Sequence, residues 1–113
     1  VCLPGVSYRG HISSTVAVAD LKYVESLDSP YCLPQDQKDM GKRILYFETS
    51  RGCPFQCQYC LSSLEQGLRF FSEDYLKRQL NLICHSSAKT IKFLDRSFNA
   101  DANHAIMILD YIY

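Results

Sequence analysis

The chain has 113 residues, of which 47% are apolar and 21% charged, with no formal net charge at pH 7. That balance excludes a disordered segment, which needs fewer apolar residues and a larger net charge. It also excludes nucleic-acid binding by simple charge attraction, which needs a basic excess. The length suits one small domain. No apolar run approaches the roughly 18–20 residues that cross a bilayer, and the opening Val1-Cys2-Leu3-Pro4-Gly5 lacks the basic and apolar regions of a signal peptide. A soluble, cytoplasmic protein without a membrane partner is therefore expected. The first residue is not Met, and a piece of something longer is expected.

From residue 1 to 42 the sequence is irregular, broken by Pro4-Gly5, Ser13-Ser14, Ser29-Pro30 and the polar run Gln35-Asp36-Gln37-Lys38-Asp39. It reads as a connector. Thr15-Val16-Ala17-Val18 suits a short extended piece, and the surrounding Pro and Ser residues argue against a helix of any length. At Arg43 the composition changes. Ile44-Leu45-Tyr46-Phe47-Glu48-Thr49 is apolar, aromatic or β-branched and reads as a buried strand ending at Ser50-Arg51-Gly52. After a cysteine-bearing loop and Gly67, Leu68-Arg69-Phe70-Phe71 suits a brief extended stretch.

Ser72 then reads as an N-cap, with Glu73 and Asp74 suited to the positive end of the helix dipole. Leu76, Leu80, Ile83 and Cys84 build one apolar face of a helix that should finish near His85-Ser86-Ser87. Thr90-Ile91-Lys92-Phe93-Leu94 predicts a second strand, followed by the polar group Asp95 to Asn99. A last helix should begin between Asp101 and Asn103. The order strand, loop, helix, strand, helix is that of a parallel α/β sheet with crossover helices. Two parallel strands cannot bury both faces, so the rest of the sheet is expected from elsewhere.

Six cysteines are too few for a secreted disulfide scaffold, which carries roughly 8–10% cysteine. Their distribution says more. Cys53, Cys57 and Cys60 sit within Cys53-Pro54-Phe55-Gln56-Cys57-Gln58-Tyr59-Cys60, a C-x3-C-x2-C run directly after a strand. A cluster of four irons takes four ligands, so three local thiolates would leave one iron open to something other than protein. An open position separates a catalytic metal site from a closed one. Ligands in parallel α/β folds bind beyond the carboxyl ends of the strands, where this loop falls.

These residues resemble the C-x3-C-x-aromatic-C signature of the radical S-adenosylmethionine enzymes, with Tyr59 in the aromatic position. The run Glu48 to Phe55 is similar to the loop entry in the subgroup whose barrel follows a cobalamin-binding domain, and Phe93 to Asn99 is similar to that subgroup's second strand end. Pro4 to Arg9 and Ser29-Pro30-Tyr31 resemble its interdomain connector. The resemblance implies a partial (β/α) barrel over 43–113 preceded by a connector over 1–42. It implies a [4Fe-4S] cluster held by Cys53, Cys57 and Cys60, with S-adenosylmethionine chelating the fourth iron. Reductive cleavage would give a 5′-deoxyadenosyl radical, used for methylation or another carbon-centred reaction. Tyr59 would lie near the adenine. Asp95 would take the place of the family's acidic, glycine-rich segment and meet the methionyl ammonium, and Arg96 or Asn99 would meet the carboxylate or ribose. Cobalamin would belong only to the full-length protein. The implied partners are the remaining barrel, a cobalamin-binding domain and an electron donor such as flavodoxin or ferredoxin, and the exposed sheet faces of an isolated piece would favour oligomers.

A rival reading is a non-catalytic iron–sulfur or zinc module, with His85, His104 or Cys84 as fourth ligand. Plainer roles also suit several residues. Cys84 reads as core, and Cys2 and Cys32 as incidental thiols. His104 reads as a capping or solvent residue, and His85 as a cation at a helix end. Arg51 suits a loop salt bridge, and Asp95 a structural pairing with Arg96 or Arg51. Phe47, Phe70, Phe71 and Phe93 read as core.

Overall fold

A computed structural model describes residues 6–13, 18–64 and 67–113. Cys2, Pro4, Gly5 and most of the expected extended piece, residues 15–17, lie outside them. The chain is a small mixed α/β unit built on a two-stranded parallel sheet and a separate antiparallel pair. Strand β1 (Ile44–Phe47) pairs in parallel with β4 (Thr90–Phe93), in the register Ile44 opposite Thr90 through Phe47 opposite Phe93. One further bond, from the Leu94 amide to the Phe47 carbonyl, continues the ladder past both strands.

Alternation decides which face is covered. Leu45 and Phe47 are buried while Ile44 and Tyr46 are about half exposed, as expected when successive side chains leave opposite faces of a strand. The covered face meets α3 (Glu73–Cys84), whose Leu76, Leu80 and Ile83 are buried on one stripe, and α4 (Ala102–Ile112), which contributes Ile108. Met40 and Phe71 complete the core. Helix α3 begins as expected: Ser72 accepts a bond from the Tyr75 amide, and Glu73 and Asp74 occupy the first turn. Asp101 caps α4 by accepting from the His104 amide at 2.8 Å. Among the described residues no barrel closes, and no helix is long and apolar enough to cross a membrane.

Three expectations change. The loop after β1 is not irregular throughout, because β2 (Ser50–Cys53) pairs antiparallel with β3 (Gly67–Phe70). Ser50-Arg51-Gly52, read as a strand end, is thus a strand of its own. Cys84 is exposed rather than core, because it sits at the last turn of α3 and at the edge of the apolar arc. Among the aromatic residues, Phe47 and Phe71 are buried, while Phe70 is 38% exposed and rests against His104.

The connector carries short helices only, α1 (Leu21–Glu25) and α2 (Pro34–Gln37), and it is tied to the body by three side chains. The Tyr31 hydroxyl donates to the Tyr46 carbonyl at 2.8 Å and accepts from the Tyr46 amide at 2.9 Å, which satisfies the edge of β1 that β4 leaves unpaired. Glu25 accepts from the Ser72 amide and hydroxyl at 2.7 and 2.8 Å, fastening α1 to the start of α3. Arg69 of β3 donates to the Ala19 carbonyl at 2.9 Å.

Candidate functional site

The three clustered thiols leave the body on the chain between β2 and β3. Cys53 closes β2, opposite Gly67, and the polypeptide then runs through Cys57 and Cys60 into a 3-10 turn at Leu61–Leu64. Two glycines make this hairpin base. Gly52 has φ of +94° and a Cβ there would collide with the Gly67 carbonyl, so strand and loop approach at a distance only glycine allows. Gly67 has φ of +91°, also left-handed, with nothing among the described residues within 4 Å of where a Cβ would stand.

Cys53, Cys57 and Cys60 are free thiols, Cys57 exposed and the other two half-buried. The environment of Cys60 favours its thiolate. Hydrogen bonding from the Ser62 hydroxyl holds its pKa below the ordinary thiol value, helped by the Ser62 amide and, more weakly, by the Arg96 guanidinium and the Ser63 amide. Slight burial opposes them. Arg96 therefore acts on the thiol loop although it lies in the turn after β4. The loop offers three thiols, none spent in a disulfide, which is one fewer than the four ligands a four-iron cluster takes. Among the described residues, however, no group of three or more His, Cys, Asp or Glu side chains is placed to hold a metal ion. Tyr59 is 94% exposed on the same loop.

At the root of the loop lies a denser arrangement. Thr49, just ahead of β2, and Ser50, its first residue, are buried and meet Asp95 just past β4. The Thr49 amide lies 3.2 and 3.1 Å from the two carboxylate oxygens, and the Thr49 and Ser50 hydroxyls each donate to Oδ1 at 2.6 Å. His104, in the first turn of α4, places Nε2 at 3.0 Å from Thr49 Oγ1. A hydroxyl has one proton, and that of Thr49 is committed to Asp95, so Nε2 is the donor and the imidazole is the Nε2–H tautomer. Its ring packs on Phe70 with centroids 4.3 Å apart. Burial pushes the His104 pKa below its ordinary value, against the opposing pull of Asp95 and Asp101.

Asp95 and Arg96 lie just past the carboxyl end of β4, and Arg96 is close enough to act on the Cys60 thiol, while Tyr59 is exposed on the thiol loop. Asn99 is exposed in the turn after Arg96. Arg51 donates to Glu48 at 2.9 Å, the loop salt bridge expected of it, so Asp95 pairs with hydroxyls and an amide rather than with an arginine. His85 and Cys84 sit at the far end of α3, about 18 Å of helix from its start. They are therefore on the side of the sheet where β4 begins, away from the thiol loop. The sequence does not mark Thr49 or Ser50, and it offers His104 only as a capping or solvent residue or, in the rival reading, as a fourth ligand. The parallel register points to Thr49: with Phe47 opposite Phe93, residue 49 falls opposite residue 95. Nothing in its neighbourhood marks His104, since Asp101 already serves as the cap.

The chain is 40% identical over 112 aligned positions to a protein of Pyrococcus horikoshii described as an uncharacterized methyltransferase. The alignment takes in 92% of this chain and 24% of that relative, so the chain spans about a quarter of its length. No protein-family model matches the chain, and no solved structure matches it.

Proposed function

We propose that the protein is a radical S-adenosylmethionine enzyme that acts in methyl transfer, with Cys53, Cys57 and Cys60 binding a [4Fe-4S] cluster. The observation that carries this reading is the C-x3-C-x2-C run with Tyr59 before its last cysteine, its thiols free and carried from the end of β2 on the loop toward β3. The description of the Pyrococcus horikoshii relative as a methyltransferase supports the methyl-transfer part. When bound, such a cluster supplies one electron that splits a sulfonium carbon–sulfur bond, leaving methionine and a carbon radical able to take a hydrogen atom from substrate.

This chain's residues would do the holding. Cys60 has its pKa lowered by Ser62, which favours the thiolate, the form that ligates. Arg96 carries its positive charge close enough to Cys60 to favour that form, and is well placed to meet a carboxylate. Asn99 offers both an amide donor and an acceptor for a ribose. Asp95 has most of its acceptor capacity engaged, yet Oδ2 takes only a share of the Thr49 amide and keeps a lone pair for an ammonium. Tyr59 presents an exposed ring that can close over an adenine. Residues 1–42 act in this reading as a connector, and an electron donor such as flavodoxin or ferredoxin supplies the electron.

The test is electron paramagnetic resonance on the 113-residue chain, reconstituted anaerobically with iron and sulfide and reduced with dithionite. Near four irons per chain, with a signal that shifts when S-adenosylmethionine is added, is the expected result. One zinc per chain, or a cluster signal indifferent to S-adenosylmethionine, overturns the proposal and leaves a structural metal module.

A further inference from the structure

The corner that launches the thiol loop is held from three directions. Thr49 and Ser50 leave β1 and turn into β2, Asp95 arrives from the end of β4, and His104 from the first turn of α4. Four donors converge on two acceptors: an amide and two hydroxyls on the Asp95 carboxylate, and the His104 imidazole on Thr49 Oγ1. The Thr49 carbonyl then accepts from the Phe71 amide at 3.2 Å, carrying the same corner across to the far side of the hairpin. Thr49 has no exposed surface and Ser50 only 4%, so water does not substitute for these partners.

We infer that Asp95, Thr49 and His104 are positioning residues that fix where Cys53 leaves the sheet and hence where the three thiols can meet, an assignment that rests on the proposed cluster reading. Cys53 lies four positions after Thr49, at the end of β2, where the ladder to β3 sets it opposite Gly67. That ladder fixes Cys53 relative to β3, and the direction in which β2 itself leaves the parallel sheet is set at its start. The network holds that start at Thr49 and Ser50. It also gives Asp95 a role other than contact with a ligand, because both hydroxyl protons and the amide proton of the corner converge on its carboxylate. His104 acts through Thr49: by donating to the hydroxyl oxygen it orients the hydroxyl proton toward Asp95, and a side chain at 104 without a donor leaves that buried oxygen short of a partner.

Two variant pairs separate this role from general stability. Thr49→Val removes the hydroxyl at nearly constant volume and Thr49→Ser keeps it; His104→Leu removes the donor and His104→Gln keeps an N–H in reach. Backbone hydrogen exchange on the chain without metal reads the corner directly. Thr49→Val and His104→Leu are expected to speed exchange at position 49 and at Phe71 by about tenfold, while the Leu80 and Ile83 amides of α3 keep their rates. Thr49→Ser and His104→Gln should restore the corner. The same four proteins, reconstituted with iron and sulfide, should show lost iron in the first pair and recovered iron in the second. Equal acceleration in α3 reduces the network to a global support and overturns the inference, as does unchanged exchange at the corner or a failure of the conservative variants to restore it. If the unsubstituted chain takes up no iron, the cluster reading fails, and the exchange rates still decide whether the corner is held as inferred.

Discussion

Gly52→Ala and Gly67→Ala differ by one atom's surroundings within one hairpin, and their comparison measures how tightly the thiol loop is closed at its base. Both positions are left-handed, φ +94° and +91°. Placing a Cβ in that region costs about 1–2 kcal/mol, part of which is offset by the roughly 0.4–1 kcal/mol that alanine gains by restricting the unfolded chain. Gly67→Ala meets nothing among the described residues within 4 Å and should lose only that difference, on the order of 0.5–1 kcal/mol. Gly52→Ala meets the Gly67 carbonyl, a backbone atom that cannot rotate away. Relief requires parting β2 from β3 where Gly52 faces Leu68 and Cys53 faces Gly67. About two ladder hydrogen bonds would be lost, adding ~2 kcal/mol at about 1 kcal/mol each. Urea denaturation of the three proteins, followed by circular dichroism, reads both numbers. A Gly52→Ala loss no larger than that of Gly67→Ala would refute the close approach at the root of the loop.

Tyr31→Phe removes the hydroxyl that both donates to and accepts from Tyr46, and should cost about 1–2 kcal/mol in urea denaturation, since two hydrogen bonds go but the strand edge is partly open to water; no change would mean that the connector is not fastened there. Leu80→Ala, at a side chain with no exposed surface between the sheet and α3, should cost about 2–5 kcal/mol and lower the melting temperature, whereas Ile44→Ala on the uncovered face of β1 should cost far less. Stability should also depend on pH through His104. Its folded-state pKa lies below the ordinary 6.5 because burial outweighs the attraction of Asp95 and Asp101. As pH falls below about 6.5 the unfolded chain takes up the proton first, so this contribution is present above that value and is lost on acidification until the folded pKa is passed. Comparing the unsubstituted chain with His104→Gln between about pH 5 and 8 isolates it, and parallel stability curves for the two would refute the assignment.

Elements set by their own residues were legible in the sequence. Strands β1 and β4 are marked by apolar, aromatic and β-branched runs, α3 by its Ser72 cap and apolar face and α4 by its start residues, all inside a window of about a dozen residues, and each forms close to where those residues place it, β1 ending at Phe47 rather than Thr49 and burying alternate side chains only. Cys84 shows the limit of periodicity. At about 100° per residue it lies roughly 70° from the centre of the arc marked by Leu76, Leu80 and Ile83, and at the final turn the sheet no longer covers that edge. The β2–β3 pair was illegible for a different cause. Ser50-Arg51-Gly52-Cys53 has no alternation, and its partner begins fourteen positions beyond Cys53, so the pairing comes from two left-handed glycines and a buried corner rather than from strand propensity.

The candidate site divides along the same line. The three cysteines are recognisable because a spacing is a local property. Their support is not, because Asp95 and Thr49 are 46 positions apart and His104 is 55 from Thr49. One piece of tertiary information links them. Once β1 and β4 are taken as parallel neighbours in the register Phe47 to Phe93, a carboxylate two residues past one strand must face a hydroxyl two residues past the other. A partly buried carboxylate favours donors and two buried hydroxyls require partners, so the pairing satisfies both demands at once. The imidazole is then placed by the crossover, since the loop after β4 is short and returns α4 with its first turn beside the strand ends. A spacing legible in the sequence thus stands on a corner legible only from register, and a polar residue just past a parallel strand is best judged against its register partner before it is assigned to a ligand.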